Sequence, residues 1–165
     1  MNKLVKLLAI AGVCTIFAAC STTPKPSDTD KVAAVDATNS SVAYDPIKDP
    51  KSVVYGKRSI WFDFDSSMIK PEYQSFLQAH ADYLRANKNK SVHILIQGNT
   101  DERGTAEYNL ALGQRRSEAV KKFLTILGVD ASQIEAVSLG KEKPMNEGHD
   151  ESAWKANRRA DIIYK

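Results

Sequence analysis

Cysteine is nearly absent from this chain of 165 residues: Cys14 and Cys20 are the only two, and nothing after residue 20 can close a disulfide within the chain. Histidine is scarce too. His80 falls in a segment of helical period, His93 in an alternating one and His149 in a polar stretch, a scatter with neither a catalytic triad nor metal-ligand spacing. Ser66, Ser67 and the threonines stand outside any nucleophile motif. No internal repeat occurs. The one uninterrupted apolar run, after Lys6, is about a dozen residues, short for a membrane-spanning helix. Charge of one sign is also lacking: the formal net charge of +3 becomes about +1 without Lys3 and Lys6, which removes the electrostatic case for nucleic acid.

What is present begins with a leader. Lys3 and Lys6 form a short basic region, Leu4 to Ala19 is dominated by apolar residues, and Ala18 and Ala19 directly precede Cys20. This resembles a bacterial lipoprotein signal over residues 1–19, with Phe17 where Leu is usual; Cys14 follows Val13, a poor residue at a cleavage point. The resemblance implies cleavage before Cys20, an S-diacylglyceryl and an N-palmitoyl group on that residue, and no other cofactor. Each buried methylene contributes about 0.8 kcal/mol to such an anchor. Ser21 is not the Asp of an inner-membrane retention signal, so sorting to the outer membrane, with the domain facing the periplasm, is implied.

Residues 20–54 show no sustained period and are rich in Ser, Thr, Asp, Ala and Pro, with Pro24, Pro26, Pro46 and Pro50 breaking regular structure. This composition predicts a disordered, flexible tether whose root-mean-square reach is on the order of 30 Å.

The remainder, 55–165, is one domain with enough apolar residues for a core. In Ile60 to Asp65, Ile60, Phe62 and Phe64 alternate with Trp61, Asp63 and Asp65, predicting a strand with an acidic end. Pro71 suits the first turn of a helix, and Tyr73, Phe76, Leu77, His80 and Leu84 follow at helical spacing. Val92 to Gln97 reads as a second strand; Leu95 on its second face predicts partial cover on both sides. Tyr108, Leu112, Ala119, Val120, Phe123, Leu124 and Leu127 mark a long helix stopping at Gly128. A strand at 135–139, a short helical or turn segment at 153–159 and a last strand at 160–164 complete an α/β fold: two main helices packed on a small mixed β-sheet.

The functional signal lies between the second strand and the long helix, where Gly98 to Gly104 forms a polar loop carrying Asp101 and Arg103. A crevice at a strand's carboxyl end is a common ligand site. Arg116 falls on or beside the apolar stripe of the helix, and a charge aimed at the core needs a fixed partner or a ligand. A structural pair with Asp101 or Asp65 and a binding role are both open on this ground. Arg115, about 100° round the helix, is a solvated residue. Asn157, Arg158 and Arg159 stand before the last strand, where the two arginines could reach the same rim.

Gly98-Asn99-Thr100-Asp101-Glu102-Arg103-Gly104, Tyr108-Asn109, Leu112, Arg115-Arg116, Gly128-Val129, Gly140 to Pro144 and Asn157-Arg158-Arg159 together resemble the signature of the OmpA-like peptidoglycan-binding domain family, with Asn99 in place of a common His. With Phe62 to Asp65 and the leader, the similarity is to the lipoprotein members that act in the Tol-Pal system, which support envelope integrity and constriction at cell division. The resemblance implies non-covalent binding of the diaminopimelate side chain of the peptidoglycan stem peptide. Asp101 would accept from its ammonium and Arg116 would hold its carboxylate. Phe64 and Asp65 would line the pocket, and Thr100, Asn109 and Arg159 would support the loop and rim. It also implies a TolB-like periplasmic propeller protein as partner, so an adaptor function with secondary wall contact is the alternative. A hydrolase using Asp63, Asp65, Asp101 or Glu102 as acid and base lacks a supporting histidine arrangement.

Overall fold

The computed structural model describes residues 44–88 and 91–165. The leader, Cys20 and the tether up to residue 43 lie outside the described residues. The elements are β1 (Ser59–Trp61), a 3₁₀ turn (Pro71–Tyr73) running into α1 (Gln74–Ala86), β2 (Ile94–Asn99), α2 (Ala106–Ile126), β3 (Ile134–Gly140), α3 (Glu151–Asn157) and β4 (Arg159–Tyr164). They form a four-stranded mixed sheet in the order β1-β4-β2-β3. β2 and β3 are parallel, joined by α2 as the crossover such a pair requires, and β4 runs antiparallel to both β1 and β2.

The period of two along each strand selects the core. Ile60, Ile94, Ile96, Ile134, Ala160 and Ile162 meet Leu77, Ala81 and Leu84 of α1 and Val120 and Leu124 of α2. Leu95 and its cross-strand partner Ile163 point the other way and are only half-buried. α2 comes unusually close to the sheet. A Cβ on Gly98 would sit 1.8 Å from the Gly113 carbonyl oxygen, and one on Gly113 would sit 2.2 Å from Ser138 Oγ. Two facing glycines therefore set the height of the helix over the end of β2, where the loop with Asp101 begins.

Two boundaries differ from the sequence expectation. The folded unit takes in residues before 55: Ile47 and Val54 are buried in the core, and Gly56 N–H donates to the Ile47 carbonyl. Two isolated apolar residues among prolines carry no period, so the segment reads as tether although its burial makes it part of the domain. The first strand, expected to reach Asp65, ends at Trp61. The backbone beyond Phe62 turns to offer the Asp63 and Ser66 carbonyls to Arg116, and Asp65 adopts φ 52°, incompatible with a strand.

His80 is structural. It is fully buried, with Nδ1 2.8 Å from Tyr164 Oη and Nε2 2.8 Å from the Lys57 carbonyl, and it ties α1 to β4 and to the segment before β1.

Candidate binding site

β2 ends where α2 begins to cross it, and the loop between them closes on itself. Thr105 caps α2 by accepting from Tyr108 N–H at 3.1 Å. Asn109 Nδ2 donates to the Arg103 carbonyl at 2.8 Å, and Lys141 Nζ holds the Glu102 and Gly104 carbonyls. Gly104 supplies the left-handed turn at φ 93°. Thr100 N–H continues the ladder to the Gly140 carbonyl at 2.8 Å. The loop is thus pinned from both sides and holds Asp101 in a buried position.

A cavity of about 260 Å³ opens here, lined by Phe64, Asp65, Thr100, Asp101, Arg103, Gly104, Tyr108, Asn109, Leu112 and Arg116. Phe64 and Tyr108 are exposed at its mouth, while Asp101 and Arg116 are buried. Tyr108 Oη donates to the Asp65 carboxylate, joining the two sides of the opening.

Arg116 is 0 % exposed and makes no ion pair among the described residues. Its partners are three backbone carbonyls: Nε donates to Ser66 O at 2.8 Å, Nη1 to Asn99 O at 2.8 Å and Nη2 to Asp63 O at 3.1 Å. Neither Asp101 nor Asp65 is the structural partner that the sequence left open. Of the five N–H groups of a guanidinium, one on each terminal nitrogen is left over. Burial lowers its pKa to about 10, with Asp101 working against the shift, so the group stays charged at neutral pH.

Asp101 is held by two other arginines. Its Oδ1 accepts from Arg103 N–H at 3.2 Å, and its Oδ2 accepts from Arg103 Nη2 at 2.6 Å and from Arg158 Nη1 at 3.4 Å. Burial pushes its pKa up, but the two hydrogen bonds from Arg103, with its charge and with Arg158, outweigh that and leave the carboxyl below the usual range. Three of about four acceptor positions are filled, leaving one on Oδ1.

Six of the seven residues to which the resemblance gave a part in the pocket, loop or rim, Phe64, Asp65, Thr100, Asp101, Asn109 and Arg116, line this one cavity. Arg159 does not. As the first residue of β4 it shares a sheet face with Asp161 two positions on, and its Nε donates to Asp161 Oδ2 at 3.0 Å. The arginine that reaches the site is Arg158, in the turn after α3, whose Nε also donates to the Phe62 carbonyl. Arg103 and Tyr108 belong to the wall although the motif reading gave them no role; their position inside the Gly98 to Arg116 stretch was the available signal. The sequence placed both Arg158 and Arg159 within reach of the rim without choosing between them; the contact of Arg158 with Asp101, 57 positions away, makes that choice. Among the described residues, no cluster of three His, Cys, Asp or Glu side chains is arranged to hold a metal, and no helix is long and apolar enough to cross a membrane.

The OmpA family matches residues 61–159. The peptidoglycan-associated lipoprotein of Pasteurella multocida (strain Pm70) is 42% identical over 164 residues, 99% of this chain and 100% of that protein. The protein of the same name from Haemophilus influenzae is 44% identical over the same shares. The crystal structure of the peptidoglycan-associated lipoprotein from Burkholderia pseudomallei is 60% identical, with a TM-score of 0.69, and covers 73% of this chain and 100% of its own. The periplasmic domain of Helicobacter pylori MotB, at 22% identity and a TM-score of 0.55 over 64% of this chain and 69% of that one, shares the fold alone.

Proposed function

The chain belongs to the OmpA family, in the company of the peptidoglycan-associated lipoproteins, and from that premise we propose that it binds peptidoglycan non-covalently and tethers the outer membrane to the cell wall. The observation that carries the proposal is the pair Asp101 and Arg116. They share one cavity, neither is bonded to the other, and they retain one acceptor position and two donors between them. The complement of that set is an ammonium beside a carboxylate, which is the free end of a diaminopimelate side chain. Asp101 accepts from the ammonium, the two spare Arg116 N–H groups hold the carboxylate side by side, and Leu112, Phe64 and Tyr108 cover the methylenes between them. Binding in this site needs no covalent step. The domain acts as a non-catalytic holdfast.

The membrane end of the tether is Cys20, lipidated after removal of residues 1–19, with the domain from about residue 44 onward free to reach the wall from the periplasmic side. Action within the Tol-Pal system, with a TolB-like propeller protein as partner and a role in envelope constriction, belongs to the same proposal. The 62 % exposure of Phe64 at the mouth of the cavity supports contact with a protein at that rim.

Co-sedimentation of the whole chain with purified sacculi tests the reading. The chain should pellet with diaminopimelate-type sacculi and remain in the supernatant with sacculi whose stem peptides carry lysine, which lacks the second carboxylate. Asp101→Asn, folded by circular dichroism, should weaken pelleting at least about tenfold, the worth of one charge-assisted hydrogen bond. Equal pelleting of the folded variant and the parent would overturn the assignment.

A further inference from the structure

Trp154, in the middle of α3, is not part of the cavity wall but stands directly behind it. Its ring lies 4.1 Å from the Arg103 guanidinium carbon, and the Phe64 ring lies 4.2 Å from the same carbon. A planar cation that close to two aromatic rings is sandwiched between them. Trp154 Nε1 donates to Glu102 Oε1 at 2.8 Å, and His149 Nδ1 lies 2.7 Å from Glu102 Oε2. Trp154 therefore grips two consecutive residues of the loop, one by its ring and one by its N–H. Arg103 passes the constraint on: its Nη2 bonds Asp101 Oδ2 at 2.6 Å. Its Nε is buried without a hydrogen-bond partner, so at that end of the guanidinium stacking, not hydrogen bonding, fixes the plane.

An arginine side chain has about 2 kcal/mol of rotamer entropy to lose when it is ordered. Without its second ring, Arg103 would be free to leave Asp101 and swing into the open cavity, since a third of its side chain is already exposed. We infer that Trp154 is a positioning residue of the binding site: its ring locks the Arg103 guanidinium, and the locked guanidinium holds the Asp101 carboxylate in the one orientation that leaves Oδ1 open to the ligand. This rests on the reading of the cavity as a site for an amino acid end with both charges. α3 and the turn that follows it thereby serve the site from behind, Trp154 on Arg103 and Arg158 on Asp101 itself.

The test is isothermal titration of the whole chain with a soluble stem tripeptide ending in diaminopimelate, carried to millimolar peptide so that weakened variants stay measurable. Trp154→Leu keeps an apolar side chain but has no π face, and Trp154→Phe keeps a π face but loses the N–H. Trp154→Leu should weaken binding about three- to tenfold, the range expected for one cation–π contact, and Trp154→Phe should recover most of that loss. In an Arg103→Ala background Trp154→Leu should add less than about twofold, because the residue acts through Arg103. Unchanged binding by Trp154→Leu in a parent that binds would overturn this inference alone. So would a penalty that persists in full without Arg103, or one that Phe does not relieve, since either marks a general structural role. A parent that fails to bind the peptide would overturn the reading of the cavity, and this inference with it.

Discussion

Arg116 and Asp101 line the same cavity, yet neither is the other's hydrogen-bond partner: Arg116 is held by the Ser66, Asn99 and Asp63 carbonyls, and Asp101 by Arg103 and Arg158. Opposite charges left apart in one enclosure are each oriented by the protein and each incompletely satisfied. That arrangement favours a ligand that brings both missing charges at a set separation.

The first consequence concerns stability. Arg116→Ala strands three carbonyls and leaves a void, and should destabilise the domain by about 3 kcal/mol, so its loss of binding is ambiguous. Arg116→Lys keeps the charge without the fork that spans three carbonyls and leaves two N–H groups for the proposed ligand carboxylate. It should lose about 1–2 kcal/mol while binding to sacculi falls at least tenfold. Urea unfolding and sedimentation on the same samples separate the two effects, and a Lys variant that binds like the parent would refute the fork geometry.

Gly98 and Gly113 give a second. Gly98→Ala must push α2 off the end of β2, because the new methyl would sit 1.8 Å from a backbone oxygen, and should cost at least about 2 kcal/mol. Gly56→Ala meets no atom within 4 Å and carries only the strain of φ +69°, about 1 kcal/mol. Denaturation midpoints that rank the two in the opposite order would contradict the close approach of helix and sheet.

His80 gives a third, in pH. Burial lowers its pKa from an ordinary 6.5 to about 4, so the fold accepts the neutral ring and resists the charged one. The stabilisation is complete above pH 6.5 and is lost as pH falls towards 4, on the order of 3 kcal/mol in all. Asp101, although buried, is held below the usual carboxylate range by Arg103 and Arg158. Urea unfolding from pH 7 to 4 should show the loss, and His80→Gln should flatten it; an unchanged slope in the variant would assign the effect elsewhere.

Much of the architecture was readable because periodicity is local. Leu77, His80 and Leu84 repeat on a helical stripe and Ile94 and Ile96 on a strand face, and each pattern depends only on neighbours a few positions away. The wall of the cavity was likewise readable where it is contiguous, since Thr100, Asp101, Asn109 and Arg116 sit within one strand, loop and helix whose geometry is set by glycines and a cap.

The sequence by itself determined the elements, the loop and the residue types that line the cavity. Only the tertiary structure decided their electrostatic partners. Arg158 rather than Arg159 reaches Asp101, because alternation along β4 sends Arg159 to Asp161 on the opposite face. Trp154 stacks on Arg103 because α3 packs behind the loop, and Ile47 and Val54 are core because the segment before β1 folds back onto α1 through His80 and Lys57. The contacts of Arg158 with Asp101, Trp154 with Arg103 and His80 with Lys57 join positions tens of residues apart, and their free energies come from burial and charge in three dimensions, which no local pattern encodes.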